Sequence, residues 1–440
     1  MDNQRIGTSL ADQASRKAFR RLIWFLLILY VVAYLDRINI GFAALSMNKD
    51  LGLTAATFGF ANTIFYVGYL VFEIPSNYLM VRYGARRWIA RILITWGLAS
   101  TATFLAKDAN SLYVIRFIVG IFEAGFVPGV LLYLTYWFPT SQRGRATSVF
   151  MIAQPIAIGF GSVISGLIMS GSGGYAGLSG WQWLFIIEGL PAVVLGIAVL
   201  FYLSDRPSSA HWLTGEEARA LEAQIDAEAP QSTPSTSSWR DLLTGSFLKV
   251  SLAYFCLVTS LNALATWSPL IVREVLGGTS NALHVGMIAA IPGVVAIVVM
   301  PIWGMLSDRY GERIWFYVGA IAIAAAGWLL VVMTSAPTTR LLGLVLATAW
   351  GFSGMAMLWT VPPLFLSAKS RPLGTAVLSC CGIAGSITSP SIVGFLRDRT
   401  GSFDSGVWYI IGALVFSIAM FVMLTNTARH QHVDMRALKT

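Results

Sequence analysis

Charge, cysteine and histidine are all scarce in this chain. Only 12% of its 440 residues are charged, about half the roughly 25% of a soluble domain, which excludes a string of soluble domains despite the length. The three cysteines, Cys256, Cys380 and Cys381, lie inside apolar segments; they have no metal-ligand spacing and cannot build a disulfide framework. His211, His284, His430 and His432 fall outside the apolar runs, so no structural metal and no cofactor is expected. HExxH, GxSxG and Walker patterns and paired intramembrane aspartates are missing, which leaves a membrane-embedded enzyme as a remote alternative. No Asn-x-Ser/Thr sequon occurs anywhere, in keeping with a bacterial inner membrane.

What is abundant is apolar surface: 56% hydrophobic residues, with 15 Trp, 15 Tyr and 25 Phe. A membrane span needs about 20 mostly apolar residues. Twelve such runs can be read, at 22–44, 58–80, 88–106, 112–136, 146–169, 183–203, 248–271, 284–306, 314–334, 340–366, 373–396 and 406–425. The first is too long for a signal-peptide core and has no cleavage pattern after it. The net charge of +9 does not indicate nucleic acid, because the basic residues sit in gaps between apolar runs rather than along one face. With the N-terminus inside, 22 of the 30 Lys and Arg residues fall on the inner side. Six fall outside (Lys49, Lys107, Arg273, Arg340, Arg397 and Arg399), and Arg37 and Arg116 lie within spans. The bias predicts that both termini are cytoplasmic. The sequence therefore reads as an all-α polytopic membrane protein of twelve transmembrane helices in two pseudo-symmetric six-helix bundles, monomeric in the lipid bilayer.

The longest polar stretch separates those bundles: residues 1–203, a cytoplasmic loop at 204–246, and residues 247–440. The loop carries a capping-box pattern at Thr214-Gly-Glu-Glu217, an acidic segment to Glu228 that predicts a short surface helix, and a linker-like Pro230–Ser238. The halves echo one another. Arg82-Tyr-Gly-Ala-Arg86 matches Arg309-Tyr-Gly-Glu-Arg313, and Arg143 with Ala146-Thr-Ser-Val149 matches Arg371 with Gly374-Thr-Ala-Val377, at offsets of 227 and 228. Internal duplication in a membrane protein points to a transporter with its site between the halves.

Ionisable residues in mid-span are costly and mark function. Asp36 and Arg37 lie in the first span, Arg116 and Glu123 in the fourth, and no charge lies deep in a span of the second half. Arg116, Gly120 and Glu123 fall on one helix face, the charges about 10 Å apart, with Gly120 expected to leave room between them. If the first and fourth helices are neighbours, all four charges can share one cavity. Asp36 with Arg116, or Arg37 with Glu123, can equally be structural ion pairs, and one pair can be structural in one state and functional in another. Asn62, Tyr66, Tyr69 and Glu73 form a polar stripe on the second helix. Glu73 is expected in a structural network with Arg143 or Arg145; for Glu188, structural and functional roles stay open. Tyr34, Tyr66, Tyr69, Gln154, Asn262, Trp267, Trp359 and Ser379 are candidates to line the cavity, or, for the aromatics, to pack or face lipid. Pro128, Pro155, Pro269, Pro292, Pro362, Pro363 and Pro390 interrupt spans where helices must bend.

Gly304-Met-Leu-Ser-Asp-Arg-Tyr-Gly-Glu-Arg313 resembles the loop signature of the major facilitator superfamily, with Asp308, Arg309 and Arg313 in place. The first-half copy retains Arg82 and Arg86 but departs from it. Asn77 stands where Gly is usual and Val81 where an acid is usual, so the acid of that loop's ion-pair latch is missing. Tyr34-Leu-Asp-Arg-Ile-Asn39, Phe72-Glu-Ile-Pro-Ser-Asn77, Arg116-Phe-Ile-Val-Gly-Ile-Phe-Glu-Ala-Gly125 and Pro207-Ser-Ser-Ala-His-Trp-Leu-Thr-Gly-Glu-Glu217 together resemble the anion:cation symporter family, in its branch of tartrate, phthalate and 4-hydroxyphenylacetate permeases. The resemblance implies a proton-coupled importer of small organic anions, with Asp36 and Glu123 as proton carriers, Arg37 engaging the substrate carboxylate and Arg116 paired with the proton carriers. It also implies substrate contacts at Tyr34, Tyr69 and Gln154. Charge counting agrees. The four-residue cluster sums to zero with both acids ionised and to +2 with both protonated, so protons and an anion favour each other's binding. The two acids, differently surrounded, are expected to titrate differently. The alternative within the same fold is anion exchange or facilitated diffusion without proton coupling.

Overall fold

The computed structural model describes residues 2–228, 244–361, 366 and 370–430. Among them, twelve helices are long and apolar enough to cross a membrane: α1 Leu10–Asp50, α2 Ala55–Tyr83, α3 Ala85–Leu105, α4 Ala109–Trp137, α5 Thr140–Gly171, α6 Gly180–Tyr202, α7 Gly245–Val275, α8 Ala282–Tyr310, α9 Ile314–Met333, α10 Pro337–Leu358, α11 Leu373–Thr400 and α12 Asp404–Thr425. Each overlaps one of the twelve apolar runs. In lipid the backbone must satisfy itself, so a run of this length becomes a helix. Its ends are set by residues that bond free amides. Thr54 accepts from the Thr57 amide at 3.3 Å, Asp108 from Ser111 at 2.8 Å and Asn281 from His284 at 2.8 Å. Large apolar side chains such as Ile74 and Phe201, 70% and 85% exposed, form the surface that acyl chains cover.

Three boundaries differ from the sequence reading. Helix α1 starts well before residue 22, because Ala11, Ala14 and Ala18 are buried where the N-terminal segment docks on the surface helix Gly215–Glu228. Lys17 pairs with Glu217 at 2.5 Å, and Ser15 donates to the Gln142 side-chain oxygen at 2.5 Å. The predicted capping box forms: the Glu217 amide donates to the Thr214 hydroxyl at 3.2 Å and the Thr214 amide to the Glu217 carboxylate at 3.0 Å. Helix α10 ends at Leu358, short of the expected 366, in keeping with the Pro pair ahead, since a residue before proline is driven out of the helical region. Pro362, Pro363 and the 230–238 linker lie outside the described residues. Helix α4 is not continuous. It divides into Ala109–Glu123 and Phe126–Trp137, because Pro128 has no N–H to offer the Ala124 carbonyl and Gly125 adopts φ +87°, open to glycine at little cost.

Residues 2–203 and 245–425 meet along α1–α7, α2–α11 and α5–α8, where small residues let backbones touch. A Cβ at Gly41 would lie 2.8 Å from the Thr266 carbonyl, and one at Gly166 2.7 Å from that of Ala282. The Asp398 carboxylate accepts from the Ala55 and Ala56 amides at 3.0 and 2.8 Å, an anion at the N-terminus of α2. Arg273 donates to the Leu45 carbonyl at 2.6 Å, and the Thr63 and Ser391 hydroxyls are 2.7 Å apart. All these contacts lie toward the end opposite the chain termini. That end is closed.

Candidate functional site

Arg37 on α1 reaches Glu123, the last residue of the first segment of α4; Nε and Oε1 are 2.5 Å apart. The break at Ala124–Gly125 places this acid at the end of a helix segment in mid-membrane rather than inside a continuous helix. The guanidinium also lies over the Tyr69 ring, 5.2 Å from its centroid, and Glu123 Oε2 has no partner among the described residues. The Arg37 side chain is 17% exposed and that of Glu123 1%. The guanidinium therefore keeps some free surface although it lies in mid-span.

The other two charges do not join this pair. Asp36 turns away, toward α3, and accepts from Trp96 Nε1 at 2.7 Å, Asn39 Nδ2 at 2.9 Å and the Ser100 hydroxyl. Arg116 donates to Asn62 Oδ1 at 3.4 Å and lies over the Phe65 ring at 4.6 Å. The Asp36–Arg116 alternative is therefore not the one formed. Adjacent residues on a helix point about 100° apart, and here Asp36 goes to Trp96 and Ser100 of α3 while Arg37 goes to Glu123 of α4. Nor does Gly120 leave a void: a Cβ there would collide with the Phe65 carbonyl and sit 3.0 Å from its carbon, so the space is filled by the backbone of α2.

The polar stripe of α2 behaves as its spacing suggests. Asn62 takes Arg116, Tyr66 accepts from Asn262 Nδ2 across the two halves at 2.6 Å, Tyr69 lies under Arg37, and Glu73 accepts from Ser379 of α11 at 3.4 Å. Gln154 on α5 donates to the Tyr30 hydroxyl at 2.7 Å. Tyr30 is stacked on Phe150, centroids 4.5 Å apart, and meets Tyr34 edge-on at 6.3 Å. Tyr30 was missed as a site residue, although Tyr30, Tyr34 and Arg37 fall at i, i+4 and i+7 on one helix face. Trp359 is 37% exposed and stands against Tyr254 at 5.4 Å. Trp267, by contrast, is no cavity residue. It is 1% exposed, wedged between Phe58 and Phe403 at 5.3 and 5.4 Å, and packs the closed end. Among the described residues no group of three or more His, Cys, Asp or Glu could hold a metal.

A model of the Major Facilitator Superfamily matches residues 26–376. The chain belongs to that superfamily. It is 41% identical over 424 residues to a "Putative tartrate transporter" of Agrobacterium vitis, covering 96% of this chain and 97% of that one. It is 39% identical over 427 residues to the "Putative metabolite transport protein NicT" of Pseudomonas putida, covering 94% and 95%. A solved bacterial homolog of the human lysosomal transporter Spinster, in an inward-facing and unoccupied conformation, shares the fold with a TM-score of 0.75 at 16% identity, over 93% of this chain and 97% of that one. This is a transporter, not an enzyme, and a multi-pass protein of the inner membrane.

The superfamily's loop signature is realised differently in the two halves. After α8, Asp308 pairs with Arg313 at 2.5 Å, while the Arg309 side chain is exposed. After α2, where the loop acid is missing, Asp205 just beyond α6 meets the start of α3. Its carboxylate accepts from the Arg86 amide at 2.8 Å, at the N-terminus of α3, where an anion meets the positive helix end. Arg82 lies over the Tyr83 ring. The network expected between Glu73 and Arg143 or Arg145 does not form. Glu73 faces α11, whereas Arg143 donates to the Phe138 carbonyl at 3.2 Å and Arg145 covers the Phe19 ring at 5.0 Å. At the start of α5 these arginines are drawn to that local carbonyl and ring, out of reach of an acid buried against the other half.

Proposed function

We propose that this transporter carries a small organic anion with protons by alternating access, Arg37 taking the substrate carboxylate and Glu123 the coupling proton. The observation that carries this reading is the Arg37–Glu123 contact of 2.5 Å. A substrate carboxylate and the Glu123 carboxylate compete for one guanidinium, so a proton on Glu123 releases Arg37 to the anion. The coupling is reciprocal: bound anion raises the affinity for the proton by the same factor. Tyr69, Tyr66, Tyr34, Gln154, Asn262 and Trp359 would line the anion. Arg116, bound to Asn62, keeps the site's net charge positive when Glu123 is neutral. Asp36, surrounded by donors, is the second proton-coupling candidate.

The tartrate and metabolite transporters at about 40% identity support a hydroxy-acid or related carboxylate as cargo. With the termini cytoplasmic, as the basic loops suggest, the end held together by Asp398, Arg273 and Thr63 faces outward. The reverse state requires Asp398, Arg273 and Thr63 to release their partners so that the two halves rock about the site.

The test is proton movement. Proteoliposomes containing a pH dye would receive aliphatic hydroxy-acids, sugar acids and aromatic carboxylates under an imposed proton gradient. A lumen that acidifies with one class, and fails to with Arg37→Ala and Glu123→Gln, is the expected result. Entry of labelled anion without acidification would overturn proton coupling in favour of exchange or facilitated diffusion.

A further inference from the structure

The closed end holds a cavity that belongs to neither half alone. Its volume is about 560 Å³, within the roughly 300–1,000 Å³ of a small-ligand pocket. Leu45 and Ser46 of α1, Ser170 of α5 and Gly180 of α6 come from the first half; Arg273 of α7 and Asn281, just ahead of α8, come from the second. Asp50, Gly173 and Gly174, which also line it, are exposed, so the cavity opens to solvent at the end opposite the termini. Its polar groups are mostly donors. Arg273 gives one N–H to the Leu45 carbonyl at 2.6 Å, out of the five that a guanidinium carries. Among the described residues no carboxylate lies within ion-pair distance of it. The Ser46 hydroxyl is buried and has no hydrogen-bond partner among the described residues. Asn281 Oδ1 is taken by the His284 amide at 2.8 Å, which leaves Nδ2 to donate. The one acid in the cavity, Asp50, is already held by the Ser179 hydroxyl at 2.9 Å and Trp181 Nε1 at 2.8 Å.

A cation without a counter-ion and spare donors around one cavity select an anion. We propose that this cavity is a second binding site for a small organic carboxylate, anchored by Arg273 and separate from the Arg37 site. The carboxylate takes charge-assisted bonds from the guanidinium N–H groups that Leu45 does not use, with Ser46 and Asn281 as further donors. Helices α6 and α8 begin at Gly180 and Ala282 in the same wall, and their positive ends add to the preference. A cation fits less well, since Arg273 repels it and Asp50 is already bonded. That the ligand is a carboxylate rests on the anion transport proposed above; the unpaired cation and its cavity do not. Because both halves supply the walls, the site exists only while this end is closed: separating α1 from α7 takes Ser46 away from Arg273. Anion bound there therefore stabilises the closed end by its differential affinity.

Equilibrium dialysis of labelled tartrate against the purified full-length protein counts the sites. Two per chain are expected in the wild type, one in Arg37→Ala and one in Arg273→Gln. In the Arg37→Ala background, Asn281→Asp should weaken the remaining site about tenfold or more, since it sets a like charge beside the anion. Aspartate also caps a helix, so this variant keeps the start of α8 and decides the matter should Arg273→Gln not fold. Thr63→Cys with Ser391→Cys, oxidised to lock the closed end, should retain the site. If Arg273→Gln loses a site and Arg37→Ala does not, this cavity stands and the role given to Arg37 fails. A single wild-type site that disappears with Arg37→Ala would overturn the proposal, as would two sites in Arg273→Gln or unchanged affinity in Asn281→Asp. So would displacement of the label by an equal concentration of chloride, which would make the cavity an unselective anion site, or loss of the site on locking.

Discussion

Replacing Glu123 by Gln separates the two roles of Arg37. The substitution keeps the shape of the side chain but removes the charge that holds the guanidinium at 2.5 Å. A hydrogen bond involving a charged group contributes roughly 1.5–3 kcal/mol net, and the anion must give up that amount to displace Glu123. Removing the competitor should therefore tighten anion binding about 10- to 100-fold at a pH where Glu123 is ionised, at about 1.4 kcal/mol per decade. The same change should abolish uphill accumulation, because the proton that exchanges with the anion at Arg37 is no longer carried. The assay is anion binding by isothermal titration across pH, beside counterflow and proton-driven uptake in proteoliposomes. Wild-type affinity should fall as pH rises and Glu123 reclaims Arg37, whereas Glu123→Gln should bind tightly throughout and still catalyse counterflow. Weaker binding in the variant, or an unchanged pH dependence, would refute the competition argument.

Three other outcomes follow from contacts elsewhere. Gly120→Ala should lower the thermal midpoint in detergent by the equivalent of about 1–3 kcal/mol, because its Cβ meets the Phe65 carbonyl, while Gly412→Ala, with nothing within 4 Å, should not; equal effects would remove the argument for a tight α2–α4 crossing. Thr63→Cys with Ser391→Cys, where the native hydroxyls are 2.7 Å apart, should form a disulfide that stops transport until reduced, read by gel mobility and uptake. In the cytoplasmic clasp, the Lys17 ammonium and then the Thr214 amide hold the Glu217 carboxyl below its ordinary range. Its stabilising contribution is therefore present above the ordinary glutamate range, about 4.3, and is lost as pH falls through the depressed value. Amide exchange in the surface helix Gly215–Glu228 should accelerate on that acid side, and Glu217→Gln should show the faster exchange already at neutral pH.

Membrane insertion made much of this protein legible from the chain alone. Twelve apolar runs could only be helices, since lipid leaves the backbone no other partners, and their order and approximate bounds followed. The stripe Asn62, Tyr66, Tyr69 and Glu73 was equally readable, because helical spacing alone puts those residues on one face. So was the importance of Arg37 and Glu123, costly enough in a span to require a reason.

Pairing between helices was not legible, because it depends on which faces meet. Spacing left Asp36 free to pair with Arg116; only the assembled bundle gives it Trp96 and Ser100 of α3 instead. Gly120 reads as empty space until α2 is laid against it, and Trp267 reads as a cavity wall until Phe58 and Phe403 close around it. Glu73 and Arg143 read as partners from the chain, yet α11 captures the one and a local carbonyl the other. Asp205 meeting the Arg86 amide, and Glu188 meeting the Ser165 hydroxyl, join residues 119 and 23 positions apart. A one-dimensional pattern determines which residues share a helix face; only the assembled bundle decides what that face touches.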